Sequence, residues 1–371
     1  MQFIDLHVQQ RRIRSKIEEN IKRVLDHGQY IMGPEIKELE ERLAHFVGTR
    51  YAVAVASGTD ALLISLMAYG VGRGDAVFTT PFTFIATGEV IQLLGAVPVF
   101  VDIQPDTFNI DPEPLAVVIE KTKKEGKVNL RGIIPVDLFG QPADYDEINV
   151  LAREHGLFVL QDAAQSFGAL YKGKRACSHA DAAGTSFFPA KPLGCYGDGG
   201  MIFTNSDELH EKLTSIRIHG KGSDKYDNVR VGVNGRLDTL QAAVLLAKME
   251  IFAEEIELRQ IVAKRYQEGL RPPAKAPYVK EYNVSAWAQY SLLHPQRDRV
   301  IAQLNRQGIP TAIYYPTPLH LQEAFVHLGY RQGDFPISEE VADRIFSIPL
   351  HPYLTGEDQD KIVDIINSCS S

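Results

Sequence analysis

The chain has 371 residues, 44% of them hydrophobic and 23% charged, enough to bury a substantial core and to form two lobes rather than one. A formal net charge of −8 without a long basic run excludes electrostatic capture of nucleic acid as the main activity and points to small-molecule partners. Cys177, Cys195 and Cys369 are too scattered for a disulfide framework or a paired-cysteine metal site, and Met1 to His7 acquires charge too early for a signal peptide or membrane anchor, so reduced thiols in the cytoplasm are expected.

In chain order, Ile13, Ile17, Ile21, Val24 and Leu25 recur at helical spacing among charged residues, which predicts an amphipathic first helix. After Gly33-Pro34 the period resumes at Ile36, Leu39, Leu43 and Phe46 and stops at Gly48. Seven short apolar runs then alternate with helical patterns: Tyr51 to Ala56, Ala76 to Thr80, Val97 to Val101, Gly132 to Val136, Leu157 to Leu160, Gly184 to Phe188 and Met201 to Thr204. Parallel strands need crossover connections, so this alternation predicts an α/β fold with a mainly parallel sheet flanked by helices, and ligands bound beyond the strands' carboxyl ends. A helical stretch from Asp238 to Tyr266 is broken by Pro272-Pro273 and Pro277, which divides a large lobe, 1–271, from a smaller α/β lobe, 272–371. The smaller lobe is expected to hold strands near Ala288 to Leu293 and Thr311 to Tyr315, and helices near Arg297 to Gln307 and Asp358 to Ile366.

The residues able to carry chemistry fall at strand ends. Lys191 sits in a glycine-rich turn, Ser186 to Gly200, after a buried strand. A desolvated lysine loses proton affinity and becomes a nucleophile for a carbonyl, whereas the ordinary reading is a solvated loop lysine. Asp162 closes the apolar run from Gly156, where a carboxylate can hold a pyridine nitrogen protonated or merely cap a helix. Gln165 lies three residues on, within reach of a ring hydroxyl. Ser57-Gly58-Thr59-Asp60 turns a strand into a helix, and its free amides with the Thr59 hydroxyl make a phosphate cradle or simple capping; Ser186 can add a hydroxyl. Phe84 follows the strand ending at Thr80 and can stack on a planar ring or pack into the core.

Taken together, these segments and Gly28 to Pro34, Asp162 to Ser166 and Gly232 to Asp238 resemble the DegT-type sugar-nucleotide aminotransferases, fold type I pyridoxal-phosphate enzymes, along essentially the whole chain. The resemblance implies that Lys191 binds the cofactor covalently, Asp162 pairs with its ring nitrogen, Gln165 contacts its ring oxygen and Phe84 stacks on it. It also implies that Thr59, Ser186 and the amides of Gly58 or Asp60 hold the phosphate, with Asn234 reaching it across a homodimer interface. The likeness is greatest to enzymes that aminate C3 of a UDP-2-acetamido-2-deoxy-3-oxo-hexuronic acid, with L-glutamate as donor, for cell-surface polysaccharide of the lipopolysaccharide O-antigen type. Arg236 would then bind a carboxylate through its fork, or form an interface salt bridge, and Tyr314 and Tyr315 would contact the sugar or pack beside proline. The enzymes it most resembles commonly carry histidine at the position of Tyr314, a departure that bears on the sugar position aminated and on the stereochemistry. Rival readings are amination at C4 of another keto sugar, a sugar dehydratase of the same fold, which Lys191 argues against, and a non-catalytic sensor of cofactor or nucleotide sugar. A dehydrogenase is disfavoured because no Gly-x-Gly-x-x-Gly follows the first strand.

Overall fold

The computed structural model describes residues 1–224 and 226–369. Helix α1 (Leu6–His27) starts where the Asp5 carboxylate accepts the amides of His7 and Val8, and ends at Gly28, whose φ of 70° suits glycine. Helix α2 (Pro34–Val47) has proline in its first turn and stops at Gly48, φ 85°. There follow β1 (Tyr51–Val55), α3 (Gly58–Ala68), β2 (Asp75–Thr79), α4 (Ala86–Leu93), β3 (Val97–Phe100), α5 (Pro112–Glu125), β4 (Asn129–Ile133), α6 (Tyr145–His155) and β5 (Phe158–Asp162). A small hairpin, β6 (Leu170–Tyr171) and β7 (Lys174–Arg175), precedes β8 (Ala182–Ser186), β9 (Gly200–Thr204), α7 (Asp207–Ile216) and the 31-residue α8 (Thr239–Gly269). The chain ends with β10 (Asn283–Val284), β11 (Tyr290–Leu293), α9 (Arg297–Arg306), α10 (Pro336–Arg344), β12 (Ile345–Ile348) and α11 (Gly356–Ser368).

Seven strands form one sheet in the order β1-β9-β8-β5-β4-β2-β3. The pairs from β8 through β5, β4 and β2 to β3 are parallel, and only β9 runs against its neighbours β8 and β1. Strands β2, β8 and β9 are buried along their whole length, as expected of a sheet covered on both faces. The mainly parallel α/β architecture expected from the sequence is the one observed. Helix α8 serves two cores: Leu245 and Leu246 pack with the sheet, while Val262, Ala263 and Tyr266 join Tyr290, Leu292, Phe346 and Ile362 in a second core. The β11–β12 pair anchors that second core.

Residues 311–315, expected as a strand, form none: Ala312 makes a single bridge to Ser347, and β11 takes the strand pairing of β12. Pro310, Pro316 and Pro318 bracket the segment and lack the amides that would extend the Ala312 bridge into a ladder past either end. The three cysteines are buried and unpaired. Among the described residues, no helix is long and apolar enough to cross a membrane.

Candidate active site

Strand β5 delivers Asp162 to the carboxyl edge of the sheet, where the residue is 5% exposed. Its backbone is fixed by Asp162 N donating to Pro135 O at 2.9 Å and its carbonyl accepting from Asp137 N at 3.0 Å. One carboxylate oxygen accepts from Thr87 Oγ1 at 2.8 Å and the other from Ala164 N at 3.2 Å. No helix starts here, because the residues that follow form turns, so helix capping does not account for Asp162. Burial raises the proton affinity of the carboxyl, and the Thr87 and Ala164 donors and the charge of Lys191 act against that rise.

Strand β8 lies beside β5 with Gly184 opposite Asp162, and two residues later its end starts the turn that carries Lys191. Phe187, Leu193 and Cys195 are buried and anchor the turn, and Lys191 N donates to Phe188 O at 2.8 Å. A Cβ on Gly194 would come within 2.5 Å of Pro189 O, so the turn closes only with glycine there. The Lys191 amine is pulled down to about 8 by burial, with the Asp162 carboxylate opposing the shift. A half-buried amine with its basicity lowered, facing a buried carboxylate, can act both as carbonyl nucleophile and as proton carrier near neutral pH.

The start of α3 abuts this turn. Ser57 Oγ caps the helix by accepting from Asp60 N at 3.0 Å, so that amide is already used, and the first-turn amides of Gly58 and Thr59 lack an intrahelical acceptor. A Cβ on Gly58 would lie 2.6 Å from Ser186 Cβ; glycine is what lets the helix end and the strand end meet. Ser186 Oγ accepts from Phe188 N at 3.2 Å and keeps its hydrogen to donate elsewhere. Gly58, Thr59 and Ser186 thus form a cradle of donors at a helix N-terminus, a geometry suited to phosphate.

Phe84 is 55% exposed and does not pack into the core; its ring lies 6.3 Å from that of Tyr315. Gln165 is buried, with Oε1 accepting from Phe139 N at 2.5 Å and Nε2 donating to Tyr315 Oη at 3.1 Å. Tyr315 therefore reaches the site, whereas the Tyr314 ring lies edge-on to Phe3 at 6.5 Å. Asn234 and Arg236 stand on an extended segment bridged to Ile218 and Val55, and line a cavity of 410 Å³ with Ile31, Ala56, Gly197 and Asp198. Asn234 is exposed, and Arg236 Nε is buried with no hydrogen-bond partner among the described residues.

Two residues not singled out from the sequence support the site. Thr87, in α4, holds Asp162 and in turn meets Thr83 Oγ1 at 3.1 Å. Asp137, one strand over, accepts from Ala143 N, Tyr145 Oη, Gln161 Nε2 and Ser166 Oγ at 2.6 to 3.0 Å and braces both ends of the β5 turn. Burial pushes its carboxyl up to about 6 against those four donors. Asp137 carries the same signal as Asp162, an acid beyond an apolar run, but the sequence does not say which strands are neighbours.

This fold, with a lysine, a buried carboxylate and the donors at the start of α3 brought to one edge of the sheet, is that of a fold type I pyridoxal-phosphate enzyme, and the donors present fit that cofactor. The model of the DegT/DnrJ/EryC1/StrS aminotransferase family matches residues 11–367, and the chain belongs to that family. It is 52% identical to the UDP-2-acetamido-2-deoxy-3-oxo-D-glucuronate aminotransferase of Pseudomonas aeruginosa over 95% of this chain and 96% of the relative. Among solved structures, a DegT DnrJ EryC1 StrS aminotransferase from Brucella abortus matches with a TM-score of 0.98 and 49% identity over the full length of both chains. NtdA from Bacillus subtilis, with bound cofactor PMP, matches with a TM-score of 0.87 and 29% identity over 98% of this chain and 82% of its own. The chain is a pyridoxal-phosphate-dependent aminotransferase.

Proposed function

We propose that this aminotransferase moves the amino group of L-glutamate to a nucleotide-linked keto sugar, at C3 of UDP-2-acetamido-2-deoxy-3-oxo-glucuronate, for cell-surface polysaccharide synthesis in the cytoplasm. The observation that carries the amino-transfer chemistry is the half-buried Lys191 amine, lowered to about 8, opposite the buried Asp162. The sugar is supported by 52% identity to the Pseudomonas aeruginosa enzyme named for that substrate.

Bound pyridoxal phosphate supplies an electron-withdrawing ring that accepts the electron pair left when a proton leaves the carbon bearing the nitrogen. Asp162 would keep the ring nitrogen protonated, and Lys191 Nζ would hold the aldehyde and, when free, carry the proton from the substrate carbon to the cofactor carbon that bore the aldehyde, and back again when the keto sugar is aminated. Thr59, Ser186 and the Gly58 amide bind phosphate, with Asp60 closing the same turn, while Gln165 donates to the ring oxygen and Phe84 covers the ring face. Arg236 receives a carboxylate of the sugar or of glutamate, with Tyr315 and, beside it, Tyr314 on the sugar side; the unpartnered Arg236 Nε supports an incoming acceptor. Two copies complete each other's sites, Asn234 reaching the phosphate of the neighbouring subunit. Exposed Tyr30, Ile31 and Met32, beside the cavity that Asn234 lines, support such a covered surface. Residues 1–271 serve as the cofactor lobe and 272–371 as the smaller lobe.

The test is visible absorbance of the pyridoxal-phosphate-loaded protein before and after L-glutamate, followed by 3-oxo and 4-oxo nucleotide sugars as acceptors. Bleaching by glutamate and recovery of colour with the 3-oxo uronic acid are expected. Colour that persists in glutamate removes the donor assignment, and recovery only with 4-oxo sugars removes C3. Lys191→Ala is expected to abolish turnover.

A further inference from the structure

Gln165 is held at both ends of its carboxamide. The two ends of an amide side chain are hard to tell apart by shape, but a backbone N–H can only donate, so the Phe139 amide dictates that Oε1 faces it. The NH2 group must therefore face Tyr315, whose hydroxyl accepts one of its two hydrogens. Phe139 aims its N–H inward because it takes the left-handed conformation, φ 58°, and its neighbour Leu138 is pinned by Asn109 Oδ1 at 2.9 Å. Tyr315 is equally constrained, with its ring 6.3 Å from Phe82 and Phe84, and with the chain just beyond it tied back where Leu319 N donates to Pro81 O at 2.7 Å. A residue from the C-terminal part of the chain thus orients the amide that stands three positions after Asp162.

We propose that Tyr315 is a positioning residue for amino transfer: its hydroxyl holds the Gln165 carboxamide so that the second Nε2 hydrogen is directed at the phenolic oxygen of bound pyridoxal phosphate. This rests on the roles assigned above to Lys191 and Gln165. A hydrogen bond donated to that oxygen favours its more negative state and so lowers the proton affinity of the adjoining linkage to Lys191. Burial and the nearby Asp162 charge push the Tyr315 phenol upward, so it remains a neutral hydroxyl through the working range of pH. The link also means that displacement of residues 314–319 is felt at the cofactor through one amide.

The experiment titrates the visible absorption of the holoenzyme against pH for wild type, Tyr315→Phe, Gln165→Ala and the double variant. Tyr315→Phe keeps the ring packed against Phe82 and Phe84 and removes only the hydroxyl. Its midpoint is expected to rise by ~0.5–1 pH unit, the size that loosening one neutral hydrogen bond gives. Gln165→Ala is expected to raise the midpoint further, and the double variant to match Gln165→Ala, because a residue acting through another adds nothing once the other is gone. Gln165→Glu gives a second route: its oxygen still accepts from Phe139 but offers Tyr315 an acceptor, and its midpoint is expected to rise as well. A Tyr315→Phe midpoint equal to wild type, or a double variant whose shift is the sum of the two singles, overturns the inference. A wild-type protein that stays colourless with pyridoxal phosphate overturns the cofactor roles and this inference together.

Discussion

The lowered basicity of Lys191 can be tested without any turnover. Its amine titrates at about 8, whereas an ordinary lysine has a value of 10.5. At pH 7.5, roughly one Lys191 side chain in four would be neutral, against about one in a thousand for an ordinary amine, a ratio of ~200. Cofactor-free protein pulsed with dilute formaldehyde and cyanoborohydride, then digested and weighed peptide by peptide, gives the methylation rate of each lysine as a function of pH. Because steric shielding scales a rate without moving its midpoint, the midpoint reports basicity. Lys248 is an internal control: its amine is also lowered to about 8 by burial, but the residue is 1% exposed, so it should label far more slowly than half-buried Lys191. The direction of the Asp162 effect follows from its sign, since the carboxylate raises the Lys191 value that burial lowers. Asp162→Asn retains an acceptor for Thr87 while removing the charge, and should move the Lys191 midpoint below 8. A midpoint near 10 in wild type, or no downward movement in the variant, refutes the electrostatic account of the site.

Thr87→Val removes a donor to a buried carboxylate and should cost ~1.5–3 kcal/mol in urea denaturation at pH 8. Since burial raises Asp162 above its ordinary 3.8, the folded state holds that proton to higher pH than the unfolded chain; losing Thr87 widens the gap. The penalty should therefore shrink as pH falls toward 4, and an equal loss at both pH values contradicts the assignment. Gly58→Ala places a methyl 2.6 Å from Ser186 Cβ, so thermal unfolding should report ~1–3 kcal/mol of overpacking, together with weaker pyridoxal-phosphate binding. Unchanged cofactor affinity there would separate Gly58 from the phosphate cradle. Lys248→Met replaces a buried amine, whose nitrogen has no hydrogen-bond partner among the described residues, with an apolar chain of similar length. Below pH 8 the wild-type fold bears the cost of a buried charge, and above 10.5 neither state carries it. The variant's gain, up to ~3 kcal/mol, should thus fade as denaturation is repeated between pH 8 and 10.5, and a loss at pH 7 contradicts it.

The sequence made the strand-end groups readable because each lies next to a feature with a physical cause. An apolar run ends at Asp162, a glycine-rich turn surrounds Lys191, and small residues open the helix at Gly58. It also made the sheet's parallel character readable, through the alternation of short strands with helices. What it hid was adjacency. Thr87 sits in α4 with no local pattern to mark it, and its bond to Asp162 spans 75 positions of chain. Asp137 looks like any acid after a strand until β4 and β5 are known to be neighbours. The segment 311–315 misled because its β-branched and aromatic residues favour a strand while the prolines around it deny the pairing. Sequence alone also could not reveal that Phe84 would be exposed rather than core.

The position of the candidate site follows from one reversal in the sheet. If β9 ran parallel like the other inner strands, its start would lie at the far edge, away from the ends of β1 and β8. Running antiparallel, it brings Gly200 opposite both Ser186 at the end of β8 and Val55 at the end of β1. The chain leaving β1 then passes directly over this junction, close enough that a Cβ on Gly200 would meet Ser57 O at 2.4 Å. Only a glycine there lets Ser57-Gly58 turn into α3 above Ser186, and so only then does the helix N-terminus meet the turn that carries Lys191. The same layer places Asp162 one strand away, with β5 paired to β8 through Gly184. Helix N-terminus, amine and carboxylate are therefore drawn together by strand register, and each glycine in the junction is required for contact between segments rather than for flexibility.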